Sequence, residues 1–212
     1  MSVIALGRDY PSIFTAPVIR AVDTGIFALS YFTHCMACGF CNDQCCDHGV
    51  DIDLANMERL RSLGPAFEKF VDAPQGEWFA PQIVEDREFP SGRHGRTSAA
   101  GGKCVFAERG GRGCRIHAYC LENGLDYHLY KPMVSILFPL TFEHGVLVPS
   151  GEAADGSLVC SGDGPSLYEG VRGELTHFFG DELVGALDAL SEQAMSPQRA
   201  GDPPAIGARA RR

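Results

Sequence analysis

A chain of 212 residues, 45% hydrophobic and 21% charged, is long enough to bury a substantial core. Its formal net charge of −9, from 18 Lys+Arg against 27 Asp+Glu, works against generic attraction to DNA, RNA or anionic lipid, where phosphate neutralisation supplies most of the affinity. The 25 glycines and 13 prolines argue for many turns and irregular stretches, and against a bundle of long helices.

Met1 to Tyr31 reads as an ordered lead-in of mixed apolar residues. Arg8, Asp9 and Pro11 interrupt its start, so no secretory signal is expected there. Two longer apolar runs follow, Gly25 to Phe32 and Met133 to Val148. The first is too short to span a membrane, and the second is broken by Pro139, Glu143 and His144. The expectation is a cytoplasmic protein with neither a membrane nor a nucleic acid as partner, and no partner protein is indicated.

The cysteine run comes next, from Cys35 to Cys46. Beyond it Val50 to Leu54 alternates apolar and acidic residues, and Asp53 can cap a helix running to about Leu63, stopped by Gly64 and Pro65. Arg87 to Gly113 is rich in glycine and arginine and reads as a long surface loop. A short helix is expected from Cys114 to Asn123, ended by Gly124. Met133 to Leu140 reads as a buried strand or extended segment. Leu183, Val184, Leu187 and Leu190 share one face of a last helix that starts near Asp181. Residues 196–212, rich in Pro, Gly, Ala and Arg, are expected to be a disordered tail behind a single domain over 1–195. The fold class expected is α+β: small, loop-rich and irregular, organised around a metal-binding cysteine cluster.

In a reducing compartment spaced cysteines more often bind metal or do redox chemistry than form disulfides, and nine cannot all pair within one chain. Cys35, Cys38, Cys41 and Cys45 have the spacing C-x2-C-x2-C-x3-C, and Cys46 follows at once. Two intervening residues let the chain turn about one centre so that successive sulfurs converge. The spacing is that of the bacterial ferredoxin run, with Cys46 in place of its proline and without a second copy. It is denser than the separated pairs of zinc ribbons, which favours an iron–sulfur cluster and leaves a zinc ion as the other cofactor. Cys45 and Cys46 are adjacent, so one can face the first centre while the other faces a second or packs as a small hydrophobe.

Further thiols follow at Cys104, Cys114 and Cys120, with His117 one helical turn from each of the last two. Lys103, Arg109, Arg112 and Arg115 lie near them in sequence and can offset the charge of a thiolate centre. The metal ligands expected are therefore Cys35, Cys38, Cys41, Cys45, Cys46, Cys104, Cys114 and Cys120. Cys160 is an open candidate, whereas His34 and His48 read as surface residues and Asp47, Asp51 and Asp53 as loop and capping residues.

With both groups in view, the sequence resembles the zinc- or iron-chelating cysteine-cluster family also called YkgJ-like, over roughly Cys35 to Leu140. The shared elements are Cys35, Cys38 and Gly39, the paired Cys45 and Cys46, and the apolar stretch from Val50 to Leu60. Cys104, the run Cys114-Arg115-Ile116-His117, Lys131-Pro132 and Phe138-Pro139 complete the pattern. In the family the cysteine pair follows its Cys-Gly more closely, and a cysteine stands where this chain has Ser135. Cys41, Cys120 or Cys160 can take that place.

The resemblance implies metal chelation, sensing or assembly. A redox or catalytic iron–sulfur protein is the alternative, with a methyltransferase-associated module more remote, since a relative of the family occurs within flagellin lysine methylases. Two other readings carry less. One is a thiol enzyme with a cluster cysteine as nucleophile and His117 or His34 as base. The other is an anion-binding loop through Arg87, Arg93, Arg96, Lys103, Arg109 and Arg112, for which a solvated surface is the simpler account.

Overall fold

A computed structural model describes residues 2–33 and 40–195. His34, Cys35 and Cys38, together with the expected tail at 196–212, lie outside the described residues. The fold is mixed α+β and loop-rich, with short helices and several small sheets.

The lead-in forms regular structure. Strand β1 (Val3–Pro11) pairs antiparallel with β2 (Val18–Asp23), with Val3 opposite Asp23 and Ile4 opposite Val22. A single turn of helix, α1 (Gly25–Ala28), leads into the short strand β3 (Ser30–Tyr31). Much later in the chain, β10 (Val146–Pro149) joins β2 in parallel and β9 (Leu140–Glu143) in an antiparallel hairpin, completing a sheet of order β1-β2-β10-β9. Ile19 and Val22 of β2 are both buried in the core.

Between these halves of the sheet the chain builds a second body. Strand β4 (Asp51–Asp53) runs into helix α2 (Leu54–Ser62), and the Asp53 side chain accepts from Ala55 N at 2.9 Å, the expected cap. Gly64, at φ +73, ends α2, and Pro65 starts a new helix at once, α3 (Gly64–Val71). The expected surface loop over Arg87 to Gly113 is instead built into the fold. It contains β6 (Arg93–Arg96), the central strand between β4 and β5 (Val84–Glu85), and a hairpin of β7 (Ala99–Ala100) and β8 (Lys103–Cys104). Gly95, opposite Ile52, explains why a polar, glycine-containing stretch can lie inside: a Cβ there would come within 2.9 Å of Met57 Sδ.

Helix α4 (Arg115–Glu122) follows, one residue inside the expected bounds at each end, with Gly124 at φ +64 just beyond it. Next come α5 (Tyr127–Tyr130) and α6 (Met133–Leu137). The expected extended segment over Met133 to Leu140 is thus helical first and becomes strand only at Leu140. Pro132 at the helix N-cap and Pro139 beyond its end bracket one short turn that buries Ile136 and Leu137. Helix α7 (Gly151–Asp155) and strand β11 (Ser161–Ser166), which pairs with β3, lead to the last helix, α8 (Leu167–Met195). Gly180, at φ 80 and ψ 171, breaks α8 into two rods. The second contains the expected face of Leu183, Val184, Leu187 and Leu190, while the first, 167–179, was not expected from the sequence.

Two hydrophobic cores result. One joins the four-stranded sheet to α1, α6 and α8, through Ile19, Val22, Ile26, Leu137, Leu147, Leu175 and Phe178. The other lies among α2, α3, α4 and the short strands and is largely aromatic. Phe67 packs edge-on against Trp78 (5.2 Å) and Tyr119 (4.9 Å) and stacks on Phe106 (6.2 Å). Tyr127 packs against both cores. No helix among the described residues is long and apolar enough to cross a membrane.

Candidate metal centre

Cys104 and Cys114 pack on the rim of the aromatic core, and Cys120 lies within it. Cys45 and Cys46 occupy a 3-10 turn (Gln44–Cys46) entered through Asn42 and Asp43, both at positive φ. From there the chain reaches β4 through Gly49, at φ +69, where a Cβ would meet Thr97 O at 2.3 Å. That close approach places the cysteine run directly against the segment leading to Cys104. Thr97 completes the join: its N donates to Val50 O (2.9 Å), its hydroxyl accepts from Val50 N (2.8 Å), and Cys104 Sγ donates to the same hydroxyl at 3.4 Å.

A second clamp joins the run to the approach to α4. Buried Asp43 accepts from Arg112 Nε (2.9 Å) and from Gly113 N (3.0 Å), and Arg112 Nη2 donates to Cys41 Sγ at 2.9 Å. Lys103 contributes a third tie, pairing with Asp47 at 2.7 Å and donating to the Asn42 carbonyl. Cys114 is the extended N-cap of α4, bridged to Ala107.

These clamps tie the cysteine run to the segments that carry Cys104 and Cys114. The Cys46 thiol is pushed far up, first by its hydrogen bond to Cys45, then by burial and by the neighbouring thiols Cys45, Cys114 and Cys104. The same hydrogen bond lowers Cys45, the exposed partner, to about 7. Burial raises Cys104. Cys120 is wholly buried, and burial pushes it up to about 11. Thiolate sulfur is a donor that a soft or borderline cation neutralises, so the donor type suits a zinc ion or an iron–sulfur cluster, while no three sulfurs among the described residues lie within 4.8 Å of one another. Cys46, Cys104 and Cys114 are the described residues that would hold it, and Lys131 lies close enough to Cys45 to stabilise its charge.

Not all expected neighbours take part. Of the four nearby cations, Arg112 and Lys103 face the cysteine run. Arg115 turns instead to Glu108 (3.1 Å) and to the carbonyls of Phe70 and Val71, and Arg109 lies 3.9 Å from Asp72. Arg96 pairs with Asp51 at 2.8 Å, so the basic segment is largely matched by acids rather than presented as one patch. Cys160 packs against the other core, where its carbonyl accepts from Phe32 N, and Ser135 lies in α6.

Among the described residues the one group of three ligand-type side chains whose ligand atoms all lie within 4.8 Å of one another is not made of thiols; it is Asp126, His128 and His177. Sequence reasoning passed over it. The signals were Asp126-x-His128 at a helix start and Glu174-x-x-His177 at the i, i+3 spacing that shares a helix face, but nothing in the sequence joins the two. Comparison with family models, curated proteins and solved structures finds no match for this chain.

Proposed function

We propose that this chain is a metal-binding protein in which the cysteine run and the thiols of Cys104 and Cys114 share a centre, as an iron–sulfur cluster or a zinc ion. The observation that supports the reading is that the Asp43–Arg112 and Thr97 contacts tie the cysteine run to the segments that carry Cys104 and Cys114. The ferredoxin-like spacing and the resemblance to the zinc- or iron-chelating family support the same reading, with metal chelation, sensing or assembly as its use. A reducing cytoplasmic setting goes with it, because it keeps such thiols available for metal.

Metal binding would then contribute folding free energy to the rim. The test is anaerobic purification followed by elemental analysis and a visible spectrum. Expected is stoichiometric metal that falls sharply in Cys46→Ser and Cys114→Ser. Iron with absorption that bleaches on reduction assigns a cluster, and colourless protein with zinc assigns the ion. Stripping the metal should lower the thermal midpoint reported by the single tryptophan, Trp78, in the adjoining core. Metal-free protein, or a melt that chelation leaves unmoved, overturns the reading.

A further inference from the structure

We propose that Asp126, His128 and His177 form a second site, for a divalent transition ion, built from nitrogen and oxygen donors and separate from the thiols. Asp126 and His128 come from the start of α5, and His177 from the first rod of α8, so the site would join these two elements.

The geometry calls for a cation. Glu174 takes the Tyr127 hydroxyl on Oε1 at 2.8 Å and faces His128 Nε2 with Oε2 at 2.8 Å. An ionised carboxylate only accepts, and a neutral imidazole has one hydrogen, so a neutral His128 that donates from Nε2 satisfies this contact alone. The lone pair of Nδ1 then faces Asp126 Oδ1 at 2.7 Å, two acceptors in contact. Something positive has to lie between them, a proton or a metal ion. Asp126 is held in place by capping α5, where Oδ1 accepts from His128 N at 3.0 Å.

Two features favour the ion. His177 supplies a third donor, its ring 3.6 Å from that of His128, which a shared proton has no use for. The Tyr127–Glu174–His128 chain is also the carboxylate–histidine arrangement that orients a metal-ligating imidazole and raises its basicity. Donors on one zinc-sized ion at about 2.0–2.2 Å lie roughly 3–3.5 Å apart, so the 2.7 Å contact needs only to widen slightly. His177 has to turn out of its nearly parallel stack, now 15° from His128, because an ion binds in the plane of the ring. Imidazole and carboxylate donors suit Zn2+, Co2+ or Fe2+.

Co2+ added alone to the purified protein tests the proposal, since only thiolate ligation gives intense sulfur-to-cobalt charge transfer. Expected is one equivalent bound without that band, lost in His177→Ala and in Asp126→Asn while the charge-transfer signal of the thiol centre is unchanged. Glu174→Gln keeps all three ligands and should weaken this equivalent about 10–100-fold. It decides the matter if circular dichroism shows that His177→Ala does not fold. Equal uptake by wild type and variants, or cobalt that is all thiolate-bound, overturns the proposal and leaves a proton bridging His128 and Asp126. Failure of the thiol centre would show instead as absence of charge transfer, so the two readings fail separately.

Discussion

The two cores of this molecule are held together by different means. Around β1, β2, β9, β10 and α8, backbone ladders and a long helix satisfy most polar groups locally, and aliphatic side chains such as Ile19, Val22, Leu147 and Leu183 fill the space between. In the other core the strands are two to four residues long. Its cohesion comes from an aromatic cluster and from side chains that tie loops to one another, Asp43 to Arg112 and Thr97 to Val50 and Cys104. Cys104, Cys114 and Cys120 sit on the second kind of structure. A loop scaffold can bring together sulfurs that are distant in sequence, and it depends on each clamp in a way that a sheet does not.

The largest effect that can sharpen this contrast is Phe67→Ala. Phe67 is wholly buried at the centre of the aromatic cluster, and its truncation should cost about 3–5 kcal/mol. Trp78, the only tryptophan, reports this core by fluorescence, while far-UV circular dichroism is weighted toward α8. In urea the fluorescence midpoint should fall further than the dichroism midpoint, and equal shifts would erase the distinction between the cores.

Asp43→Ala comes next, at about 2 kcal/mol, because it removes a largely buried carboxylate from charged hydrogen bonds to Arg112 and Gly113. It should also lower the retained metal, whereas loss of stability with full metal content would mean that the clamp does not position the thiols.

The smallest effect belongs to the other core. The Arg172 guanidinium, helped by the Tyr168 hydroxyl, holds the Asp188 carboxyl down at about 2. A depressed carboxylate stabilises the fold above its unfolded pKa of about 3.9, and that contribution is lost as pH falls toward 2. Asp188→Asn should therefore lower the thermal midpoint slightly at pH 7, with the gap to wild type closing below pH 4. A gap independent of pH would assign the effect to packing instead.

Much of the local structure was legible. Asp53 before an apolar run marks a helix start because its carboxylate accepts a free amide of the first turn, and Gly124 marks a helix end because it adopts positive φ without strain. The apolar face at Leu183, Val184 and Leu187 also lies where its periodicity put it. The segment from Arg87 to Gly113 was not legible. Its polar residues become the centre of a sheet only because β4 and β5 lie on either side and Met57 packs over Gly95. Met133 to Leu140 misled for a related reason, since a continuous apolar run has no period that separates a buried helix from a strand.

The same division holds for the sites. Residue type and spacing, by themselves, determined that the chain carries a dense run of thiols, since that is a property of neighbouring positions in the chain. Which thiol faces which, and which arginine faces them, was decided by contacts between residues far apart in sequence. Asp43 with Arg112 and Thr97 with Cys104 have no local signature. The grouping of Asp126, His128 and His177 likewise exists only once α5 packs on α8. Local torsions can be read along a chain, but a meeting between distant side chains is set by how the cores pack.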